Sequence, residues 1–192
     1  MSNIVAQKAE LRGQALTKRD VLSPEDRAAA AEAIAQRAFP LAVAGKVVSG
    51  FMPLKSELNP IPLLRKLAEA GAKLALPAIA GRGKPLIMRA YAFGDELARG
   101  QWGIREPKPE AAEVAPDILL VPLAAFDRVG QRIGYGAGYY DMTIAALRAK
   151  KKVTAVGLAF AAQEIREVPA TPRDEALDLV LTEREVIDLR KL

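Results

Sequence analysis

"DILLV", Asp117 to Val121, is the run that decides the fold. After the aspartate every residue is apolar, so no face is left polar. That is the pattern of a strand covered on both sides, as in parallel sheets. Shorter apolar runs of the same kind lie at Val47–Met52, Lys73–Pro77, Val153–Leu158 and Leu177–Leu181. Helical segments fall between them. Residues 5–20 read as an amphipathic helix with Val5, Leu11, Ala15 and Leu16 toward one side. Ser23-Pro24-Glu25-Asp26 starts a second helix, with a capping serine and a proline at its first position, that runs to about Ala38. Asn59-Pro60 opens a third, which Gly71 closes. Another follows Asp141 as far as Lys150, and Thr182-Glu183-Arg184-Glu185 reads as a capping box that starts a last helix. Residues 81–85 form a turn, Pro85–Phe93 is extended, and 94–116, rich in Gly, Pro and charge, is mostly loop. Helices alternating with short apolar strands predict an α/β fold, three-layer α/β/α around a largely parallel mixed sheet, in a single domain over residues 1–192.

Composition removes several chemistries. The chain has no cysteine, so thiolate catalysis, disulfides and cysteine–zinc sites are excluded. It has no histidine, which removes the usual general base and the commonest metal ligand. Any metal must then sit on oxygens, which favours magnesium over zinc. No apolar run is long enough to cross a bilayer, and the first residues carry Lys8 and Arg12 but no apolar signal core, so a cytoplasmic protein is expected. The net charge of +5 points to an anionic partner, nucleic acid or a small polyanion. Its only cationic run, Lys150 to Lys152, reads as a solvated helix end.

"IGYGAGYYD", Ile133 to Asp141, is the segment with chemistry in it. Glycines at 134, 136 and 138 leave backbone amides bare, and such a loop can wrap an anion. A dinucleotide-binding turn does not fit, because Tyr139 stands where its last glycine belongs and some ten residues separate Val121 from Gly134. A Walker A loop does not fit either, since no Gly-Lys-Ser/Thr follows. A plain glycine-rich turn remains open. Arg128 and Arg132 precede the loop, and arginine suits phosphate oxygens. Asp141 would repel phosphates unless a magnesium ion lay between them; alternatively it is a helix cap or a first-turn acid.

Phe126 to Asp141 as a whole resembles the signature of the 5-formyltetrahydrofolate cyclo-ligase family, also called methenyltetrahydrofolate synthetases. Further blocks are similar in the same order: Lys8-Ala9-Glu10-Leu11-Arg12, Met52 to Glu57, Gly103-Ile104-Arg105-Glu106-Pro107, Gly157 to Gln163, Val168-Pro169 and Asp174 to Thr182. The resemblance implies that ATP and magnesium drive 5-formyltetrahydrofolate to 5,10-methenyltetrahydrofolate, with ADP and phosphate released. It implies phosphorylation of the formyl oxygen and ring closure by N10. Lys8, Arg12, Arg132 and residues Gly134, Tyr135, Gly136, Ala137, Gly138, Tyr139 and Tyr140 would bind ATP. Met52, Glu57 and Trp102 would bind the folate together with Tyr135 to Tyr139, and Arg132 and Tyr139 would be catalytic. Asp141 and Asp174 would hold the magnesium. Without the resemblance, Lys8 and Arg12 read equally as an exposed basic pair, Glu57 and Asp174 as loop acids, and Met52 and Trp102 as core. The chain departs from the family pattern at Ala137, where many relatives have lysine, and at Arg173, where many have histidine. The expected partners are the two small-molecule substrates, with no nucleic acid and no membrane, and the chain is expected to be a monomer. The alternatives are a non-catalytic nucleotide or nucleic-acid binding module, or a related ATP-dependent enzyme on another substrate.

Overall fold

The computed structural model describes residues 2–190, apart from the side chains of Ser2 and Trp102. Trp102, expected as a pocket wall, therefore lies outside the described residues as far as its side chain goes. Helix α1 (Ser2–Asp20) leads into α2 (Pro24–Gln36). Ser23 Oγ accepts from the Asp26 amide at 3.0 Å and Pro24 starts α2, as the sequence predicts. The chain continues through β1 (Val47–Ser49), α3 (Ile61–Glu69) and β2 (Lys73–Ala78). Gly71 ends α3 with paired bonds from its own amide to Ala68 O and from Ala72 N to Leu67 O, which satisfy carbonyls the helix leaves open. Strands β3 (Ile87–Tyr91), β4 (Leu97–Arg99), β5 (Arg105–Pro107), β6 (Ile118–Pro122), β7 (Ala125–Phe126) and β8 (Arg132–Ile133) follow. Then come α4 (Tyr139–Arg148), β9 (Thr154–Leu158), β10 (Leu179–Leu181) and β11 (Val186–Asp188).

The main sheet has seven strands in the order β11-β10-β9-β6-β1-β2-β3. From β10 to β2 all neighbours are parallel; β3 and β11 add antiparallel edges. β6 sits at the centre, as its unbroken apolar run requires. Its residues alternate between two cores: Ile118 and Leu120 pack with α2 and α3, while Leu119 and Val121 pack on the opposite face with Ile144 of α4. That is the expected three-layer arrangement. The chain leaves β1 toward β2 on one side, and β6 toward β9 on the other. The strand order thus reverses between β1 and β6, and open α/β sheets form their crevice at the carboxyl ends of strands at such a point.

Two expectations need correction. The last helix does not form. Thr182 Oγ1 does accept from the Arg184 and Glu185 amides, at 3.2 and 3.1 Å, but these bonds close a turn between β10 and β11. A capping pattern is local, and the residues after it decide; Ile187 and Leu189 are buried one residue apart, a two-residue period that suits a strand. Residues 94–116 are mostly loop, as expected, but contain one short pairing, β4 with β5 in register Leu97 to Pro107. Val5 does not join the inner side of α1 and is 69% exposed. The inward stripe of α1 is instead Ile4, Lys8, Leu11, Arg12, Ala15, Leu16 and Arg19, at helical spacing. It rests on Ala125, Ile133 and Val168.

Leu120 is fully buried between the helical layer and the neighbouring strands. Leu120→Ala should cost ~2–5 kcal/mol, read as a lower urea midpoint at unchanged m-value.

Candidate active site

A cavity of about 200 Å³ opens at the carboxyl ends of β1, β2 and β6, where the strand order reverses. Phe51 and Met52 follow β1, Pro77 belongs to β2, and Pro122 ends β6; all four line it. Met52 and Glu57 are therefore at the cavity, as are Arg132 and every residue from 134 to 141 except Gly136. Arg12 is joined to it by a hydrogen bond to Gly134 O, while Lys8 pairs with Asp174, whose charge acts on Arg132.

The glycine loop closes one side. Gly136 and Gly138 have φ of 99° and 68°, a region that residues with side chains avoid, so glycine is required there. Gly138 is the N-cap of α4 and supplies no side-chain cap. The first amides of α4 are thus left without the partner a serine or aspartate would give, which makes an anion-binding helix end. Asp141 lies in the first turn of α4 and is not the N-cap. Arg132 Nη2 donates to Asp141 Oδ1 at 2.7 Å, and the Glu175 amide donates to the same oxygen at 3.0 Å. Arg132 Nη1 donates to the Glu175 carbonyl. The Arg132 side chain is 3% exposed; burial lowers its pKa, opposed by Asp141 and Asp174 on either side.

The basic stripe of α1 faces this loop. Lys8 Nζ donates to both Asp174 oxygens, at 2.7 and 2.6 Å, and Arg12 Nε donates to Gly134 O at 2.6 Å. Asp174 also accepts from Thr171 N and Oγ1, at 2.6 and 2.8 Å. Burial pushes the Asp174 carboxyl up, but Lys8 and Thr171 outweigh it and hold the group below its usual value.

The opposite side of the cavity is the turn Leu54–Glu57, in which Lys55 has φ 51°. Glu57 Oε2 accepts from Leu54 N at 2.7 Å. Burial raises the pKa of Glu57, opposed by hydrogen bonds from Leu54 N and Tyr135 and by the charge of Arg19. Tyr135 is 47% exposed overall, yet its hydroxyl points inward between Arg19 and Glu57. Burial, then Glu57, pushes the hydroxyls of Tyr135 and Tyr140 up, so both stay protonated. Ala137 is exposed at the cavity rim.

Sequence reading gave no role to three residues at this site. Arg19 is 3% exposed and bonds Tyr135 OH at 2.5 Å. It lies seven positions after Arg12, two turns along the same helix face, and that spacing could have found it. Ser56, which accepts from Arg19 Nε at 3.0 Å, lies inside a block already singled out. Glu106 lines the cavity and accepts from Ile79 N at 3.1 Å; nothing local marks its carboxylate as turned inward.

Among the described residues no group of three or more acidic side chains is placed to hold a metal ion by itself. Asp141 and Asp174 flank Arg132, and among those residues Asp141 Oδ2 accepts no hydrogen bond. One or two carboxylates beside a phosphate-binding loop fit magnesium, which shares its shell with substrate phosphates.

The family model described as the 5-formyltetrahydrofolate cyclo-ligase family matches residues 4–183. A 5-formyltetrahydrofolate cyclo-ligase of Mycolicibacterium smegmatis is 36% identical over 192 residues, covering 95% of this chain and 97% of that protein. The Escherichia coli protein of the same name is 32% identical over 179 residues, covering 88% and 96%. The solution structure of Aquifex aeolicus 5,10-methenyltetrahydrofolate synthetase superposes with a TM-score of 0.78 at 32% identity, covering 95% of this chain and 93% of that one. A synthetase structure from Mycoplasma pneumoniae shares the fold, with a TM-score of 0.71 at 23% identity, covering 92% and 98%.

The depressed Asp174 carboxyl predicts a pH dependence of stability. Its contribution is complete above the unfolded value of about 3.9 and is lost as pH falls through the lower folded value. Asp174→Asn should therefore lower Tm at pH 7, and the deficit should shrink on acidification below about pH 4. Thermal unfolding followed by circular dichroism at both pH values checks this; an equal deficit at both would assign the loss to something other than the charge.

Proposed function

This chain belongs to the 5-formyltetrahydrofolate cyclo-ligase family, and on that premise we propose how its own residues carry the reaction. The activity is that of a ligase in folate one-carbon metabolism: ATP-dependent conversion of 5-formyltetrahydrofolate to 5,10-methenyltetrahydrofolate. The observation that carries the residue assignment is a single cavity lined both by Glu57 and by the amide-rich loop 134–141.

Glu57 accepts hydrogen bonds from the amino and ring N–H groups of the pterin, which a carboxylate does well. Met52 packs against the ring system, and Tyr135 to Tyr139 border it. Trp102 is assigned to the same wall by family resemblance alone. The amides of residues 134–140 and the open first turn of α4 wrap the triphosphate. Lys8 and Arg12 add positive charge from α1. Arg132 keeps Asp141 oriented, and Tyr139 stands at the junction of the two substrates. Asp141 and Asp174 would hold magnesium, which would supply charge neutralisation at the transferring phosphoryl group. Lys8 now donates to both Asp174 oxygens and would have to turn toward phosphate to free them.

The chemistry needs no histidine or cysteine. The γ-phosphoryl group passes to the formyl oxygen, with ADP leaving. N10 then attacks the activated formyl carbon, and phosphate departs with the former formyl oxygen. The nucleophile comes from the folate, so the protein contributes position and charge stabilisation, as in other phosphoryl transfers. We read residues 1–192 as one domain, monomeric and cytoplasmic, with no nucleic-acid partner. In support, Lys8, Arg12, Arg19 and Arg132 turn inward, and no helix among the described residues is long and apolar enough to cross a membrane.

Purified protein with 5-formyltetrahydrofolate and Mg-ATP should form the methenyl chromophore and ADP in equal amounts. ATP hydrolysis that runs equally fast without folate would overturn the reading. Asp141→Asn should raise the magnesium concentration for half-maximal turnover by roughly 10–100-fold. A Tm still above the assay temperature is the control, since a buried arginine loses its charged partner in this variant. An unchanged magnesium dependence would confine Asp141 to holding Arg132.

A further inference from the structure

We propose that Arg19 is a positioning residue for the folate half of the site and acts through the hydroxyl of Tyr135. Arg19 lies near the end of α1 and is 3% exposed. Its Nε donates to Ser56 Oγ at 3.0 Å and its Nη1 to Tyr135 OH at 2.5 Å, with the guanidinium carbon 5.8 Å from the tyrosine ring centre. Ser56 Oγ in turn donates to Asp20 Oδ1. The Tyr135 hydroxyl also lies beside the Glu57 carboxyl, and both residues line the cavity.

The direction of this chain of bonds follows from proton counting. A guanidinium only donates, and a phenol has one proton. Tyr135 oxygen therefore accepts from Arg19, and its single proton goes to Glu57. Glu57 is the acceptor offered to that proton, with Leu54 N already on its Oε2. Arg19 and Tyr135 thus favour the charged form of Glu57 and its orientation, while burial works against the charge. It also fixes Tyr135, whose glycine neighbours on both sides do little to hold it. The charged partners offered to Arg19 directly are poor: Asp20 Oδ1 is 3.9 Å away and 61% exposed. A buried cation costs free energy unless its surroundings compensate, and here two hydroxyls accept from it, Ser56 leading on to Asp20 and Tyr135 lying beside Glu57. One helix therefore reaches both substrates, with Lys8 and Arg12 on the triphosphate side and Arg19 on the folate side.

The inference rests on the assignment of Glu57 to the pterin, and the experiment separates the two. Arg19→Leu, Tyr135→Phe, their double variant and Glu57→Gln are assayed for KM of each substrate, kcat and Tm. Arg19→Leu and Tyr135→Phe should each raise the folate KM by roughly tenfold, as expected for loss of a charged buried hydrogen bond, with the ATP KM within about twofold. The double variant should be no worse than the worse single one, since both break one chain. Glu57 is faced by Arg19, Tyr135 and Tyr140, with Arg105 and Glu106 across the cavity. Removing Arg19 or the phenol proton takes away what opposes burial, so the acid limb of folate kcat/KM should move to higher pH. A tether that merely holds α1 in place would lower Tm and leave that limb where it is. A normal folate KM in Arg19→Leu, or additive effects in the double variant, overturns the proposal. If Arg19→Leu does not fold, an unchanged folate KM in Tyr135→Phe overturns it alone. An unchanged folate KM in Glu57→Gln instead overturns the pterin assignment, and this proposal with it.

Discussion

The site depends on one buried guanidinium. Arg132 leaves β8, is almost wholly removed from solvent, and holds Asp141 of α4 on one side and the Glu175 carbonyl on the other. Because the Glu175 amide also bonds Asp141, the start of α4 and the segment carrying Asp174 become one unit. Arg148, near the other end of α4, repeats the tie through Glu175 and Asp178, at 2.8 Å each. Burying a charge this deeply is costly, and a hydrophobic substitute often stabilises as well or better. What a hydrophobic residue cannot do is bond the Asp141 carboxylate and the Glu175 carbonyl at once. The placement of Asp141 beside the segment that carries Asp174 follows from this contact.

The second constraint is topological. A parallel sheet whose order reverses between β1 and β6 cannot cover the carboxyl ends of both strands with the same crossover, so a crevice remains there. The chain fills its rim with segments that have functional contents. The turn after β1 brings Glu57, and the long excursion between β6 and β9 brings the glycine loop. These two segments are far apart in sequence and meet only because β1 and β6 are neighbours. Helix α1 packs across the short β7–β8 hairpin, and its inward stripe carries cations where a core helix would carry leucines. Those cations explain why a chain of net charge +5 need not be read as a binder of nucleic acid: part of its basic character is turned toward the cavity.

Local order and function pull against each other at Leu54–Glu57. Lys55 occupies a left-handed conformation, which costs a residue with a side chain about 1 kcal/mol or more. Glu57 is buried, and burial raises its pKa against the charged form. Both costs are met by bonds from Leu54 N, Tyr135 and Arg19. The segment is thus held by partners from three parts of the chain and not by its own preferences.

By itself the sequence determined the layers, because burial on both faces demands the unbroken apolar run Ile118 to Val121, and helix caps such as Ser23 act within a few residues. It also marked the glycine loop, since φ values such as those of Gly136 and Gly138 favour glycine over residues with side chains. It failed where a local pattern was overruled at a distance. Thr182 caps a turn and no helix, because Ile187 and Leu189 find a sheet edge beside β10. The pairing of β4 with β5 was hidden by composition, since cross-strand bonds need only backbone. Only the tertiary structure decided which charges face inward: Arg19, Glu57 and Arg132 look like ordinary surface residues along the chain. Their burial is set by what packs against them from segments distant in sequence, and a one-dimensional pattern does not contain those neighbours.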